Sequence, residues 1–92
     1  MAQRLPDPEI ETALAGLQWE RRGDRLIRVA NLGSFRLAVD FVNQVADLAE
    51  EADHHPDIAL SWRTVTLELW THTAGGITGL DLDLAARIDQ LG

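Results

Sequence analysis

Histidine is scarce in this chain, and its placement is uneven. Two stand side by side in Asp53-His54-His55-Pro56, and the third, His72, lies in Thr71-His72-Thr73-Ala74-Gly75-Gly76. Imidazole is the side chain that most readily gives and takes a proton near neutrality, with an unperturbed pKa of about 6.5. Placing the whole supply of three at two loop-like boundaries is the pattern of a site. Glu50, Glu51 and Asp53 stand close enough in sequence to orient these rings or to supply opposite charge. Three uses fit the residues. The rings could be surface or capping groups. They could hold zinc with one position open, although an adjacent pair lacks the i, i+4 spacing by which one helix presents two ligands. Or they could work without metal, one ring protonating a leaving group while another removes a proton. Spacing does not choose between the last two.

The rest of the composition narrows the class. At 92 residues the chain is expected to be one domain, residues 1–92, with a limited core. It has no cysteine, so neither a disulfide framework nor a thiolate metal site is available. Eight basic residues against fifteen acidic ones give a net charge of −7, which argues against direct nucleic-acid binding. Met1 to Ile10 holds no apolar run of signal-peptide length, and no segment approaches the roughly 20 apolar residues of a membrane span. A soluble cytoplasmic protein is expected.

The elements that must position the histidines can be read in turn. Asp7-Pro8-Glu9 predicts a helix start with Asp7 as cap, running from Pro8 to Ala15 and stopped by Gly16. Leu17–Arg21 and Leu26–Ala30 flank Gly23-Asp24, a hairpin signal, and Trp19 is assigned to core or interface. Ser34 predicts the cap of the longest helix, Phe35–Glu51. Phe35, Ala38, Val39, Val42, Ala46 and Ala49 form one apolar stripe on it, suited to covering a sheet. Leu37, Phe41, Val45 and Leu48 form a second stripe about a quarter turn away, which is read as a subunit interface. Asp57–Trp62 alternates like a strand, Arg63-Thr64 is the turn, and Val65–Thr71 alternates again, with Thr66, Glu68, Trp70 and His72 on the opposite side. Gly75-Gly76 breaks that strand. Thr78 with Asp81 three residues on predicts a capping box for a last helix, Gly79–Leu91, with Leu80, Leu84, Ala85, Ile88 and Leu91 as its apolar face. The fold class is α+β: a four-stranded antiparallel sheet with helices on one face, in the order α-β-β-α-β-β-α.

Taken together, Asp53-His54-His55-Pro56, the aromatic Trp62, Val65, Thr71-His72, Gly75-Gly76 and the helix-opening Asp81 resemble the pterin-4a-carbinolamine dehydratase family. Leu17-Gln18-Trp19, the Gly23-Asp24 turn and the helix from Phe35 extend the resemblance over nearly the whole chain. It implies the same α+β fold and the dehydration of 4a-hydroxytetrahydropterins to quinonoid dihydropterin and water, with no metal or organic cofactor. By resemblance His54, His55 and His72 are the catalytic residues, with His54 and His72 as candidates for proton transfer and His55 for positioning the carbinolamine. Glu50 and Asp81 match acidic positions near the family's site, and with Asp53, Pro56 and Thr71 they are taken as substrate-binding. The resemblance also implies a homo-oligomer, dimer or tetramer, through the helix Phe35–Glu51. Two departures stand out. Ala74 replaces a cysteine found in some animal members, and Trp70 is bulkier than the small or polar residue expected before Thr71-His72. Trp70 could narrow the pocket or cover a sheet face. Some members of the family bind a homeodomain transcription factor or serve as assembly factors, so a non-catalytic accessory role on the same fold is the alternative.

Overall fold

The computed structural model describes residues 3–91, so Met1, Ala2 and Gly92 lie outside the described residues. The elements follow the expected order: α1 (Asp7–Leu14), β1 (Glu20–Arg22), β2 (Arg25–Asn31), α2 (Phe35–Ala52), β3 (Asp57–Ser61), β4 (Thr64–Leu69) and α3 (Gly79–Asp89). A one-turn 3-10 helix, His72–Ala74, lies between β4 and α3. The strands form one antiparallel sheet in the order β1-β2-β4-β3, with the helices on one face.

Strand parity is as the alternation predicts. Val65, Leu67 and Leu69 of β4 are buried, and Thr71 continues their side beyond the strand. Leu26 and Ala30 of β2 lie opposite Leu69 and Val65 and join the same core. Burial of each of the Val and Leu side chains among them stabilises the fold by roughly 1.5–3 kcal/mol relative to exposure.

The boundaries differ where tertiary contacts recruit a residue. Asp7 does not cap α1. The cap position is Pro6, without a side-chain bond, because the Asp7 carboxylate reaches across to Arg21 at 2.9 Å. The first strand begins at Glu20, not Leu17. The Gln18 N–H and the Trp19 indole N–H both donate to Asp89 at the end of α3, which draws this stretch out of the sheet. The turn between β3 and β4 is Trp62-Arg63, one residue earlier than predicted, with Trp62 in the left-handed region at φ 54°.

The main correction concerns α2. Ser34 caps it as predicted, its Oγ accepting the Leu37 N–H at 3.1 Å. The side facing the core, however, is Ala38, Phe41, Val45 and Ala49, flanked by partly buried Val42, Leu48 and Ala52. Phe41 and Val45 are therefore core residues and cannot form the subunit interface assigned to them, whereas Phe35 and Ala46 of the expected sheet-covering stripe are exposed. The reason is that α2 packs on α3 as well as on the sheet, and α3 brings Leu84, Ala85 and Ile88 into the same core. The two stripes thus merge into one broad face with an internal partner. On α3, Leu80 is exposed instead of joining the apolar face, and the helix ends at Asp89, before Leu91.

Candidate functional site

The residue after α2 shapes the site. Asp53 takes a left-handed conformation, φ 49° and ψ 43°, and its N–H returns to the Glu50 carbonyl while the His54 N–H returns to Ala49. This is the paired bonding of a Schellman stop. It ends the helix abruptly, and Pro56 holds the following chain extended. Asp53 is thus first of all a backbone device.

At the other wall, Thr71 and Gly76 close a tight loop through the Thr71 N–H to Gly76 carbonyl bond of 2.9 Å. Gly75 sits inside it at φ 67°, a conformation that a side chain disfavours. His72 is the first residue of this loop. A cleft of about 350 Å³ opens between the two walls, lined by Asp53, His54, His55, Trp70, Thr71, His72, Thr73 and Leu80. The three imidazoles come together here, although they leave two different elements.

Each ring is held differently. His54 Nε2 lies 2.5 Å from Asp81 Oδ1, and Asp81 is fully buried. The other oxygen, Oδ2, accepts the Thr71 hydroxyl at 2.8 Å and the Thr78 N–H at 2.9 Å. The Thr71 hydroxyl is in turn 2.7 Å from that of Thr78, which accepts the Leu80 N–H. Since Thr71 donates to Asp81, it must accept from Thr78, and the chain of hydroxyls has one direction. An ionised carboxylate only accepts hydrogen bonds, so with Asp81 ionised the facing Nε2 of His54 is the donor, and in the neutral ring Nδ1 is then the nitrogen left without a proton. The capping box of α3 and the orientation of His54 therefore share one carboxylate.

His55 Nε2 meets Glu50 Oε2 at 2.6 Å, but both side chains are largely exposed, 56% and 76%, and such pairs contribute about 0–1 kcal/mol. His72 makes no side-chain hydrogen bond to any described residue, and its ring instead stacks on Trp70, with centroids 4.3 Å apart. Among the described residues no cluster of three His, Asp or Glu side chains has the arrangement of a metal site.

Of the residues proposed to bind substrate, Asp53 and Thr71 line the cleft. Asp81 lies behind it, with both oxygens committed to protein partners, and the Thr71 hydroxyl is likewise spent on Asp81 and Thr78. Glu50 and Pro56 do not line the cleft, and Glu50 contacts it through His55. Three residues were not foreseen. Thr73 and Leu80 contribute to the walls, and Thr78 links the hydroxyl chain. The capping-box reading already marked Thr78, but nothing local marks Leu80. A larger groove of about 510 Å³, between β2 and the first half of α2, contains no histidine, and its one cation, Arg28, is paired with Asp89 at 2.9 Å.

Comparison with known proteins places the chain in a family. Residues 3–91 match the family model described as pterin 4 alpha carbinolamine dehydratase. A protein of Roseiflexus castenholzii, provisionally named pterin-4-alpha-carbinolamine dehydratase, is 53% identical over 92 residues, covering 99% of each chain. A similarly named protein of Nocardia farcinica is 52% identical over 88 residues, 95% of this chain and 93% of its own. Among solved structures, the transcriptional coactivator/pterin dehydratase of Brucella melitensis superposes with a TM-score of 0.92 at 30% identity, covering 97% and 98% of the two chains. A pterin dehydratase-like protein identified as a RuBisCO assembly factor in the alpha-carboxysome superposes with a TM-score of 0.65 at 26% identity, over 82% and 87%. By its sequence over almost its full length and by its fold, this chain belongs to the pterin-4a-carbinolamine dehydratase family, which is named for a hydro-lyase activity.

Proposed function

We propose that the protein dehydrates a 4a-hydroxytetrahydropterin by acid–base chemistry at its three histidines. The observation that carries the reading is their convergence on one cleft of about 350 Å³, a volume in the range of small-molecule sites. The reaction breaks the C4a–O bond, removes a ring N–H proton and forms a C=N bond, releasing water and quinonoid dihydropterin. Hydroxide is a poor leaving group until protonated, so the reaction needs an acid at oxygen and a base at nitrogen. Histidine supplies both roles near neutral pH. His54, fixed by Asp81 in one tautomer, and His72, on the opposite wall, take the two proton transfers. His55 binds and positions the carbinolamine, with Asp53 and the backbone of Thr71 beside it. The chemistry calls for no cofactor.

The test is a stopped-flow dehydration assay on synthetic 4a-hydroxytetrahydropterin. The wild type is expected to accelerate dehydration over the spontaneous rate, with H54A and H72A losing most of that acceleration. A wild type no faster than buffer defeats the reading. Chelation is expected to leave turnover intact, and loss of turnover that zinc restores would favour a metal mechanism.

A protein-binding role has its own support. Phe35 and Leu37 on the first turn of α2 and Val29 on β2 are large, apolar and more than half exposed. One structural neighbour is described as a transcriptional coactivator/pterin dehydratase and the other as a RuBisCO assembly factor. We propose a homo-oligomer through α2, cytoplasmic in location, with Phe35 and Leu37 as its apolar contacts in place of Phe41 and Val45. An accessory role on another protein would use the same surface.

A further inference from the structure

Trp70 stands where a small or polar residue is expected before Thr71-His72, and its surroundings bear on its role. It follows the end of β4, on the side of the sheet away from the core, next to Leu69, whose β2 partner Leu26 adjoins Arg25. The Arg25 guanidinium lies over the indole, with its carbon 3.8 Å from the ring centroid. Arg25 is itself held by Glu68 at 2.9 Å, on the same side of β4. The His72 ring stacks on the indole with an interplanar angle of 27°. A flat substrate would have to displace a protein partner in order to stack on Trp70, so direct ring-on-ring binding at this residue is disfavoured.

The backbone of His72 is fixed by the closed loop. The Thr71 carbonyl accepts from Ala74 and Gly75, and the His72 carbonyl accepts from Gly75. That sets where the side chain starts but not how it turns, because the imidazole is exposed and hydrogen-bonded to no described residue. His54 and His55 each have a carboxylate to set their rotamers. Among the described residues His72 has no such carboxylate, and its ring stacks on Trp70.

We propose that Trp70, seated by Arg25 and Glu68, is a positioning residue that sets the plane of the His72 imidazole toward the cleft. The inference rests on the dehydratase reading for its consequence, while the stack itself can be observed without turnover. Aromatic stacking restricts the ring to one plane, and a misplacement of about 1 Å can cost on the order of 100-fold in rate. Trp70 therefore acts on kcat through His72 and leaves substrate affinity largely to the other walls.

The experiment compares wild type, W70F, W70L and R25Q in two measurements. The first is the NMR shift of the His72 ring protons, assigned with H72Q, in which an overlying indole moves them upfield. The second is kcat and KM for dehydration. Expected are ring protons shifted upfield in the wild type, part of that shift kept in W70F and none in W70L. In parallel, kcat falls about tenfold or more in W70L with KM changed less than threefold, recovers in W70F, and falls mildly in R25Q. Circular dichroism identifies any variant that fails to fold, and W70F, which keeps an apolar ring, is the control for that. An unshifted His72 in the wild type overturns the stack. A shifted His72 with W70L turning over normally overturns the positioning role. A wild type that shows the shift but no turnover removes the dehydratase reading, and the positioning role with it.

Discussion

The coupling between the capping box and His54 can be broken with a single atom change, Asp81→Asn. Thr78 N–H is only a donor, so the amide oxygen of Asn must face it and, with it, the Thr71 hydroxyl, which now occupy Oδ2. The amide NH2 is then turned toward His54 Nε2, now 2.5 Å from Oδ1. A donor facing that nitrogen forces the neutral ring to carry its proton on Nδ1, the opposite tautomer. Packing and cap survive, but the free nitrogen offered to the cleft is reversed. Replacing charged by neutral hydrogen bonds costs about 1–3 kcal/mol, which a domain of roughly 5–15 kcal/mol total stability withstands. Loss of a correctly presented acid or base costs roughly 10²–10⁴ in rate. Asp81→Ala is harsher, because it strands the Thr71 hydroxyl and the Thr78 N–H in a buried site at about 1–3 kcal/mol each. The assay is stopped-flow dehydration beside thermal unfolding, with ¹⁵N shifts of His54 reporting its tautomer. Asp81→Asn should melt several degrees lower yet stay folded, and lose at least 100-fold in kcat. A folded Asp81→Asn protein with kcat within threefold of wild type would refute the argument that Asp81 orients a working His54.

Phe41→Asp should unfold the protein rather than dissociate an assembly, since Phe41 is a core residue; truncating such a ring alone costs about 3–5 kcal/mol, and loss of the cooperative melt by circular dichroism checks it. Leu37→Asp should keep the fold, because Leu37 is about half exposed, and should sediment more slowly than the wild type if the proposed homo-oligomer forms through this turn; a wild type that sediments as a monomer, or an unchanged coefficient, argues against that contact. Gly75→Ala meets no atom within 4 Å, so its cost is the left-handed backbone alone, about 1–2 kcal/mol in a denaturant titration. Glu50→Gln should shift stability by less than about 1 kcal/mol, because its pair with His55 lies in solvent, and any larger effect should appear in KM.

The sequence by itself determined whatever depends on a few neighbouring residues. Ser34 capping α2, the Gly23 turn at φ 59°, the alternation of Val65, Leu67 and Leu69, and the box of Thr78 with Asp81 are local bonds and periodicities, and each stands as read. The tertiary structure decided which of several local options each side chain takes. Asp7 is a sound cap by type, but Arg21 offers its carboxylate a charged partner. The two stripes of α2 differ by only a quarter turn, and the sequence of a helix does not say whether its wider face meets one layer or two; α3 settles that by packing beside the sheet. Asp81 shows its capping role within three residues, whereas its second role depends on His54, twenty-seven positions away and brought to it only by the Asp53 stop. Trp70 shared a strand side with His72 on parity alone, but Arg25 reaches it through the register of β2 on β4, and register is a property of two paired strands that neither carries alone.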